Sequence, residues 1–370
     1  MNLNFPSHWQ VLPFEIAIAD VTAGNLKVQR SEYSEIGQIP IIDQGQEFIG
    51  GYTDDRNFQA NINLPAIIFG DHTRIFKFVD VPFCLGADGT KILEPKVNLD
   101  KKFLYHYLNS LQITSAGYSR HYKFLKENLV PVPPLEEQKR IAAILDKADA
   151  IRRKRQQAIK LADEFLRAVF LDMFGDPMTN PKGWDVKPIF EVAPFSPLRN
   201  VSVTGDEKVW LLNLDQVESN SGQVISKYIC EYIQVGDSTS WFDQSHVLYC
   251  KLRPYLNKVV MPHSTGLATS ELIPLRPNPV HLNREYLTMY LRSESFVTWA
   301  TNKVAGAKMP RLSTSELREH QISLPPMNLQ NKFASIYHKI VEIKNKYEIA
   351  TLACDDGFSS LSQKAFSGDL

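Results

Sequence analysis

Within eight consecutive positions the chain carries five side chains able to recognise the edge of a base: Lys251, Arg253, Tyr255, Asn257 and Lys258. Arg and Lys offer donors matched to guanine O6 and N7, and Asn pairs with adenine N6 and N7. The same residues also suit a solvated hairpin, and both readings stay open. A second basic group, Lys303, Lys308 and Arg311, surrounds Gly306 in a stretch of loop composition. In the first half of the chain Arg120, His121, Tyr122 and Lys123 follow Gly117 at the corresponding place. Gln44, Arg56, Asn57, Arg74 and Lys77 are weaker candidates for the same contacts.

No bond-making constellation accompanies these residues. The sequence contains no Walker A loop, no GxGxxG after a strand, no HExxH, no GxSxG and no kinase signature. The nine histidines are scattered, and neither His121 nor His263 has a carboxylate or cysteine at ligand spacing. The Asn-Pro-Pro-aromatic pattern of amino-methyltransferases is missing, because the Pro-Pro pairs stand in Val-Pro-Pro-Leu and Leu-Pro-Pro-Met. Cys84, Cys230, Cys250 and Cys354 lie far apart, which supports neither a disulfide framework nor a zinc site. With no 18-residue apolar run and no signal pattern in residues 1–9, the expectation is a cytoplasmic protein that makes no use of a membrane.

Charge sets a further condition. The chain balances 41 Lys+Arg against 41 Asp+Glu. Residues 1–133 hold 12 basic and 14 acidic side chains, and residues 178–326 hold 15 and 14. Phosphate neutralisation normally makes a DNA-binding domain basic. A DNA-binding role here requires local clusters, or phosphate contacts supplied by a partner.

The elements that must position the candidates are given by an internal duplication. "WQVLPFEIA" at 9 is echoed by "WDVKPIFEVA" at 184, "PAIIFG" at 65 by "HVLYCK" at 246, "KKFLYHYL" at 101 by "REYLTMYL" at 284, and "VPPLEEQ" at 132 by "LPPMNLQ" at 324. Each half holds a globular unit followed by a long helix. Residues 135–174 contain no Gly or Pro and are bracketed by Pro133-Pro134 and Gly175-Asp176-Pro177. Such a helix spans roughly 58 Å at 1.5 Å per residue. With Ile141 as heptad position a, positions a and d read Ile141, Ile144, Ala148, Ile151, Arg155, Ala158, Ala162, Phe165, Val169 and Asp172. In the second helix they read Phe333, Ile336, Ile340, Ile343, Tyr347, Ala350, Cys354, Gly357, Leu361 and Lys364. Two such seams can satisfy each other most simply as an intramolecular antiparallel pair, with trimeric or intermolecular pairing left open, and Arg155 on the seam can fix register. The basic run Arg152-Arg153-Lys154-Arg155 cannot face one partner and reads as solvated helix. The globular units mix strands (66–69 and 75–79, 242–249 and 267–275) with short amphipathic helices at 101–111 and 284–293.

The segment 131–177, "PVPPLEEQKRIAAILDKADAIRRKRQQAIKLADEFLRAVFLDMFGDP", resembles the central region of the DNA-specificity subunits of type I restriction-modification systems. "LSQKAFSGDL" at 361 is similar to their C-terminal tail, and "GQIPIIDQGQEFIGGY" at 37 and "LRPYLNKV" at 252 to stretches of their recognition domains. The resemblance implies an α+β chain with a pseudo-twofold repeat. Target-recognition domains at 1–133 and 178–326 would be separated by long helices at 134–177 and 327–370. It further implies double-stranded DNA as ligand, each recognition domain reading one half of a split, asymmetric site. Two methyltransferase subunits would dock on the helices, and a restriction nuclease-translocase subunit would join for cutting. No catalytic residue, metal or cofactor is expected in this chain; S-adenosylmethionine, ATP and Mg would belong to the partners. Glu136, Glu137, Lys139 and Arg140 are the expected docking residues. The second helix opens Met327-Asn328-Leu329-Gln330-Asn331 without that charged run, so equivalent docking at both ends does not follow. The rival readings are a non-catalytic coiled-coil protein-interaction scaffold and a self-sufficient endonuclease, the latter lacking a metal-binding carboxylate motif.

Overall fold

The run at 66–70 is apolar at every position because both of its faces are covered. The computed structural model describes residues 5–87, 89–115, 117, 119–199, 201–306 and 308–370, without the side chains at 352 and 353. Two compact units emerge: Met1–Gln156 with Glu348–Leu370, and Gln157–Tyr347.

In the first unit an antiparallel sheet runs in the order Ile18–Asp20, Thr90–Pro95, Ala66–Gly70, Phe76–Val79. A mixed sheet follows the order Lys27–Val28, Cys84–Gly86, Ile39–Ile42, Gly51–Thr53, parallel at the first two pairings. Side chains alternate across a strand. Ile67 and Phe69 therefore pack with Phe103, Leu104, Tyr107 and Leu108 of the helix Lys101–Ser110, while Ala66 and Ile68 pack with Ile42, Phe83 and Leu85. The Gly70-Asp71-His72 break is the turn that pairs Ala66–Gly70 with Phe76–Val79.

The second unit repeats this plan with different loops. One sheet has the order Tyr228–Glu231, Lys208–Leu212, Gly266–Thr269, Thr239–Phe242; the other has Val259–Val260, Val247–Cys250, Leu272–Leu275. Helix Arg284–Arg292 buries Tyr286, Leu287, Met289 and Tyr290 against this core. It ends at Ser293, which caps a further helix, Glu294–Asn302, by accepting from the Phe296 N–H. The sequence reading did not anticipate that helix.

The duplication is written in hydrogen bonds. Gln138 is buried, and its Oε1 accepts from Asp100 N at 2.6 Å while Nε2 donates to the carbonyls of Asn98 (3.0 Å) and Pro133 (2.8 Å). Gln330, 192 positions on, accepts from Asn283 N at 3.0 Å and donates to His281 O (2.9 Å) and Pro325 O (2.8 Å). Asp100 and Asn283 are the caps of the two domain helices. Each glutamine thus ties the start of a long helix to the start of a short one. The strand before each Pro-Pro pairs antiparallel with the strand after each tryptophan motif: Gln10–Pro13 with Leu129–Val132, and Asp185–Pro188 with Gln321–Leu324. Tyr107 and Tyr290 donate to the carbonyls of the equivalent residues Leu129 and Gln321.

The long helices are Leu135–Phe174 and Met327–Ser367. Within the first unit Arg155 donates to the Ala350 carbonyl at 2.7 Å and to Cys354 Sγ, so the seam arginine is bonded rather than stranded. Arg152 lies over the Phe358 ring at 4.9 Å. Within the second unit Lys344 bonds the Asp163 carboxylate at 2.9 and 3.0 Å, and Phe333 meets Phe170 and Phe174. Rising numbers on one helix meet falling numbers on the other, as an antiparallel pair requires. The strict heptad does not hold: Ile151 is 49% exposed, Phe165 53% and Ile343 45%, while Leu145 and Leu166, which widen the stripe on one side of the seam, are buried, as are Phe170 and Tyr337. A straight helix drifts about 20° per heptad against a 3.5-residue repeat, which turns the predicted seam outward in mid-helix. Among the described residues, no helix is long and apolar enough to cross a membrane.

Candidate nucleic-acid interface

The structure joins two loops of the second unit that the sequence keeps some fifty residues apart. After Val247–Cys250 the chain turns through Arg253, a short turn Pro254–Leu256, and Asn257 before Val259–Val260. Lys251 O receives Leu312 N at 2.9 Å, Arg253 N donates to Pro310 O at 2.8 Å, and Arg311 pairs with Ala305 through both backbone bonds. Lys251 and Arg253 are therefore brought together with Arg311.

The side chains divide by role. Arg253, Tyr255 and Lys308 are exposed. Arg311 places Nε and a terminal nitrogen 2.9 Å from Glu271 Oε1, a hydrogen-bonded ion pair that stabilises the guanidinium charge and aims its remaining donors. Lys303 faces Glu316 at 3.3 Å. Asn257 and Lys258 are occupied within the fold, donating to the carbonyls of Arg292 (3.1 Å) and Leu214 (2.7 Å).

The first unit makes the same joint. Asp71 O receives His121 N at 2.9 Å, as Lys251 O receives Leu312 N. His121 is 1% exposed, with Nδ1 2.9 Å from that same carbonyl, and Tyr122 N donates to Asp71 Oδ1 at 2.7 Å. The Tyr122 ring packs on Phe14 and Phe69, and burial together with the Asp20 charge pushes its phenol up to about 12. His121 and Tyr122 thus hold the joint, while Arg120 and Lys123 stand on the surface. Among the weaker candidates, Lys77 is buried and donates to the carbonyls of Asp43 and Glu47, fixing that loop from inside. Burial presses its ammonium below the usual lysine range. Gln44 accepts from His72 N at 3.1 Å. Arg56 and Asn57 sit on an exposed turn capped by Asp55, and Arg74 is exposed.

The expected docking residues also separate. Glu136 is exposed and pairs with Lys139 at 3.0 Å. Glu137 accepts from Trp9 Nε1 at 3.2 Å, and Arg140 donates to Leu370 O at 2.7 Å, so both fasten segments of their own unit. The four cysteines are free. Among the described residues, no cluster of three or more His, Cys, Asp or Glu could hold a metal ion. Glu271 and the two glutamine ties were missed by sequence reasoning, although both glutamines end the repeated Pro-Pro motif.

The family model described as type I restriction modification DNA specificity domain matches this chain twice, over residues 13–161 and 181–352. The chain belongs to that family. The type I DNA-specificity chain is similar to the EcoDI specificity subunit of Escherichia coli, 23% identical over 133 residues that make up 35% of this chain and 29% of that protein. It is also similar to the MjaIX specificity subunit of Methanocaldococcus jannaschii, 22% identical over 303 residues covering 71% of this chain and 68% of the relative. Its fold matches the crystal structure of a type I restriction-modification S subunit from M. genitalium, with a TM-score of 0.58 at 15% identity over 99% of this chain and 97% of the other.

Proposed function

We propose that each unit of this specificity subunit reads one half of a bipartite, asymmetric DNA site through its joined loops. One observation carries the reading. The same backbone joint recurs in both units, yet the surface residues it bears differ: Arg120 and Lys123 in one, Arg253, Tyr255 and Lys308 with the half-buried Arg311 in the other. A repeated scaffold with different donors suits two different half-sites, since phosphate contacts position a protein and base contacts specify its site. The long helices would dock two methyltransferase subunits. Leu161 and Phe165, four residues apart on one face of the first long helix and both exposed, support a partner surface there. A restriction nuclease-translocase subunit would join this assembly; S-adenosylmethionine, ATP and Mg would be bound by the partners, and this chain would carry out no chemical step.

The test is to co-express the chain with its methyltransferase and map modified bases across the host DNA. The reading expects one split motif of fixed spacing, lost when this chain is omitted. Modification that is absent, or unchanged without this chain, overturns it in favour of a coiled-coil scaffold.

A further inference from the structure

Two arginines take a backbone conformation that arginine avoids. Among the described residues, five non-glycine residues have positive φ: Asn180, Asn220, Asn257, Arg74 at 65° and Arg253 at 51°. Asparagine tolerates this region because its short polar side chain bonds locally, whereas other side chains crowd the following carbonyl. The two arginines are therefore the unexpected members of the set.

They also lie in the corresponding turn of the repeat, one position apart in register. Arg74 stands four residues beyond the end of Ala66–Gly70, and Arg253 three beyond the end of Val247–Cys250. Each turn is the one whose carbonyl receives the second loop, Asp71 O from His121 N and Lys251 O from Leu312 N. Both side chains are exposed. The backbone bonds Arg74 N to Gly70 O and Arg253 N to Pro310 O can be made by any residue except proline. Arg74 also gives one of its guanidinium donors to Ile113 O at 3.0 Å, which leaves the rest of the fork to act outside the fold. Glycine would hold either turn without strain. Strain retained by an arginine in the corresponding turn of both halves is therefore attributable to what the side chain does, not to what the turn needs.

Building on the DNA-reading function proposed above, we propose that Arg74 and Arg253 are a matched pair of base-reading residues, one per half-site, each presented by a left-handed turn. Their ligand is a guanine edge in the major groove, which the planar fork of arginine meets through O6 and N7. This pairing gives the first unit a reading residue that its buried His121 and half-buried Tyr122 do not provide.

The experiment replaces Arg74 and Arg253 singly with Gly in the complete complex with the methyltransferase, and repeats each with Asn. Modified motifs, affinity for the wild-type site and thermal midpoints are measured. Arg253→Gly is expected to relax one half of the motif and weaken binding roughly ten-fold or more, with the thermal midpoint unchanged or raised. Arg74→Gly is expected to relax the other half. The Asn variants, which also accept positive φ, should behave alike. An unchanged motif in the variants overturns the inference, as does a lowered midpoint in both Gly and Asn forms, which would make the arginine a structural residue. Uniform weakening with the motif intact would mark a phosphate contact and also overturns it. If the wild-type complex itself yields no split motif, the DNA-reading function fails first.

Discussion

Replacing Gln138 with Leu tests the glutamine tie directly. Leucine has similar bulk, so the substitution chiefly removes three hydrogen bonds: from Asp100 N to Oε1, and from Nε2 to the carbonyls of Asn98 and Pro133. A buried backbone group left unpaired costs about 1–3 kcal/mol. Each carbonyl keeps a second lone pair and leucine adds apolar contact, so the sum falls toward the low end, about 3–5 kcal/mol. That is about a fifth or more of the stability of an ordinary domain. Urea unfolding of the purified protein would read the loss, and hydrogen exchange at the Asp100 amide would locate it. Because Gln330 makes the same three bonds, Gln330→Leu should cost a similar amount, with the loss at the Asn283 amide. Gln138→Glu adds a sign. Its second oxygen would face two carbonyls, so the fold would favour the protonated acid and raise its pKa. Stability should then fall as pH rises above the unfolded value of about 4.3 and recover on acidification. A cost below about 1 kcal/mol for Gln138→Leu, or a clear loss at one site without the other, would refute the tie.

Two further outcomes follow from the cores. His320 is buried between Trp299, Phe296 and the Tyr290 hydroxyl, and desolvation lowers its pKa to about 4. The unfolded chain takes up a proton near pH 6.5 and the fold resists it, so the second unit should lose roughly 2 kcal/mol between pH 6.5 and 5. Urea titrations of wild type and His320→Gln at both pH values check this, and parallel curves would reject it. Phe366→Ala should cost the first unit about 3–5 kcal/mol because that buried ring meets Phe103 and Tyr107. Phe174→Ala should do the same to the second unit through Tyr286 and Phe333. Denaturant midpoints of the two units should move separately.

The duplication was legible because its anchors are rare local patterns: a tryptophan motif, a Pro-Pro-x-x-x-Gln entry and long runs without Gly or Pro. In the first unit the strands followed from runs such as 66–70, but in the second 242–249 and 267–275 each divide at a turn, between Phe242 and Val247 and between Thr269 and Leu272. The helices at 101 and 284 fell within a residue of expectation. What a linear pattern could not show was which polar side chain meets which. Arg311 depends on Glu271, forty positions away. Lys77 reads as a surface cation, yet it is buried beneath the Asp43–Glu47 loop, whose carbonyls it bonds. His121 sits in a stretch rich in base-reading types and is spent on the Asp71 carbonyl. The heptad failed in mid-helix because a strict 3.5-residue period held across about thirty residues falls out of step with a straight helix.

The first unit draws on both ends of the chain. Its core contains Trp9 and Phe14, and also Ala365 and Phe366. The second unit, Gln157–Tyr347, needs nothing that is translated after it. A ribosome makes the bulk of the first unit early but supplies its last core residues only after the whole second unit has emerged. Domains usually fold in the order of synthesis. Here the order of completion is reversed, and residues 5–156 must wait with their core lacking Ala365 and Phe366 through the translation of nearly two hundred more. A stop codon just before Phe366 would therefore damage the part of the protein that was made first.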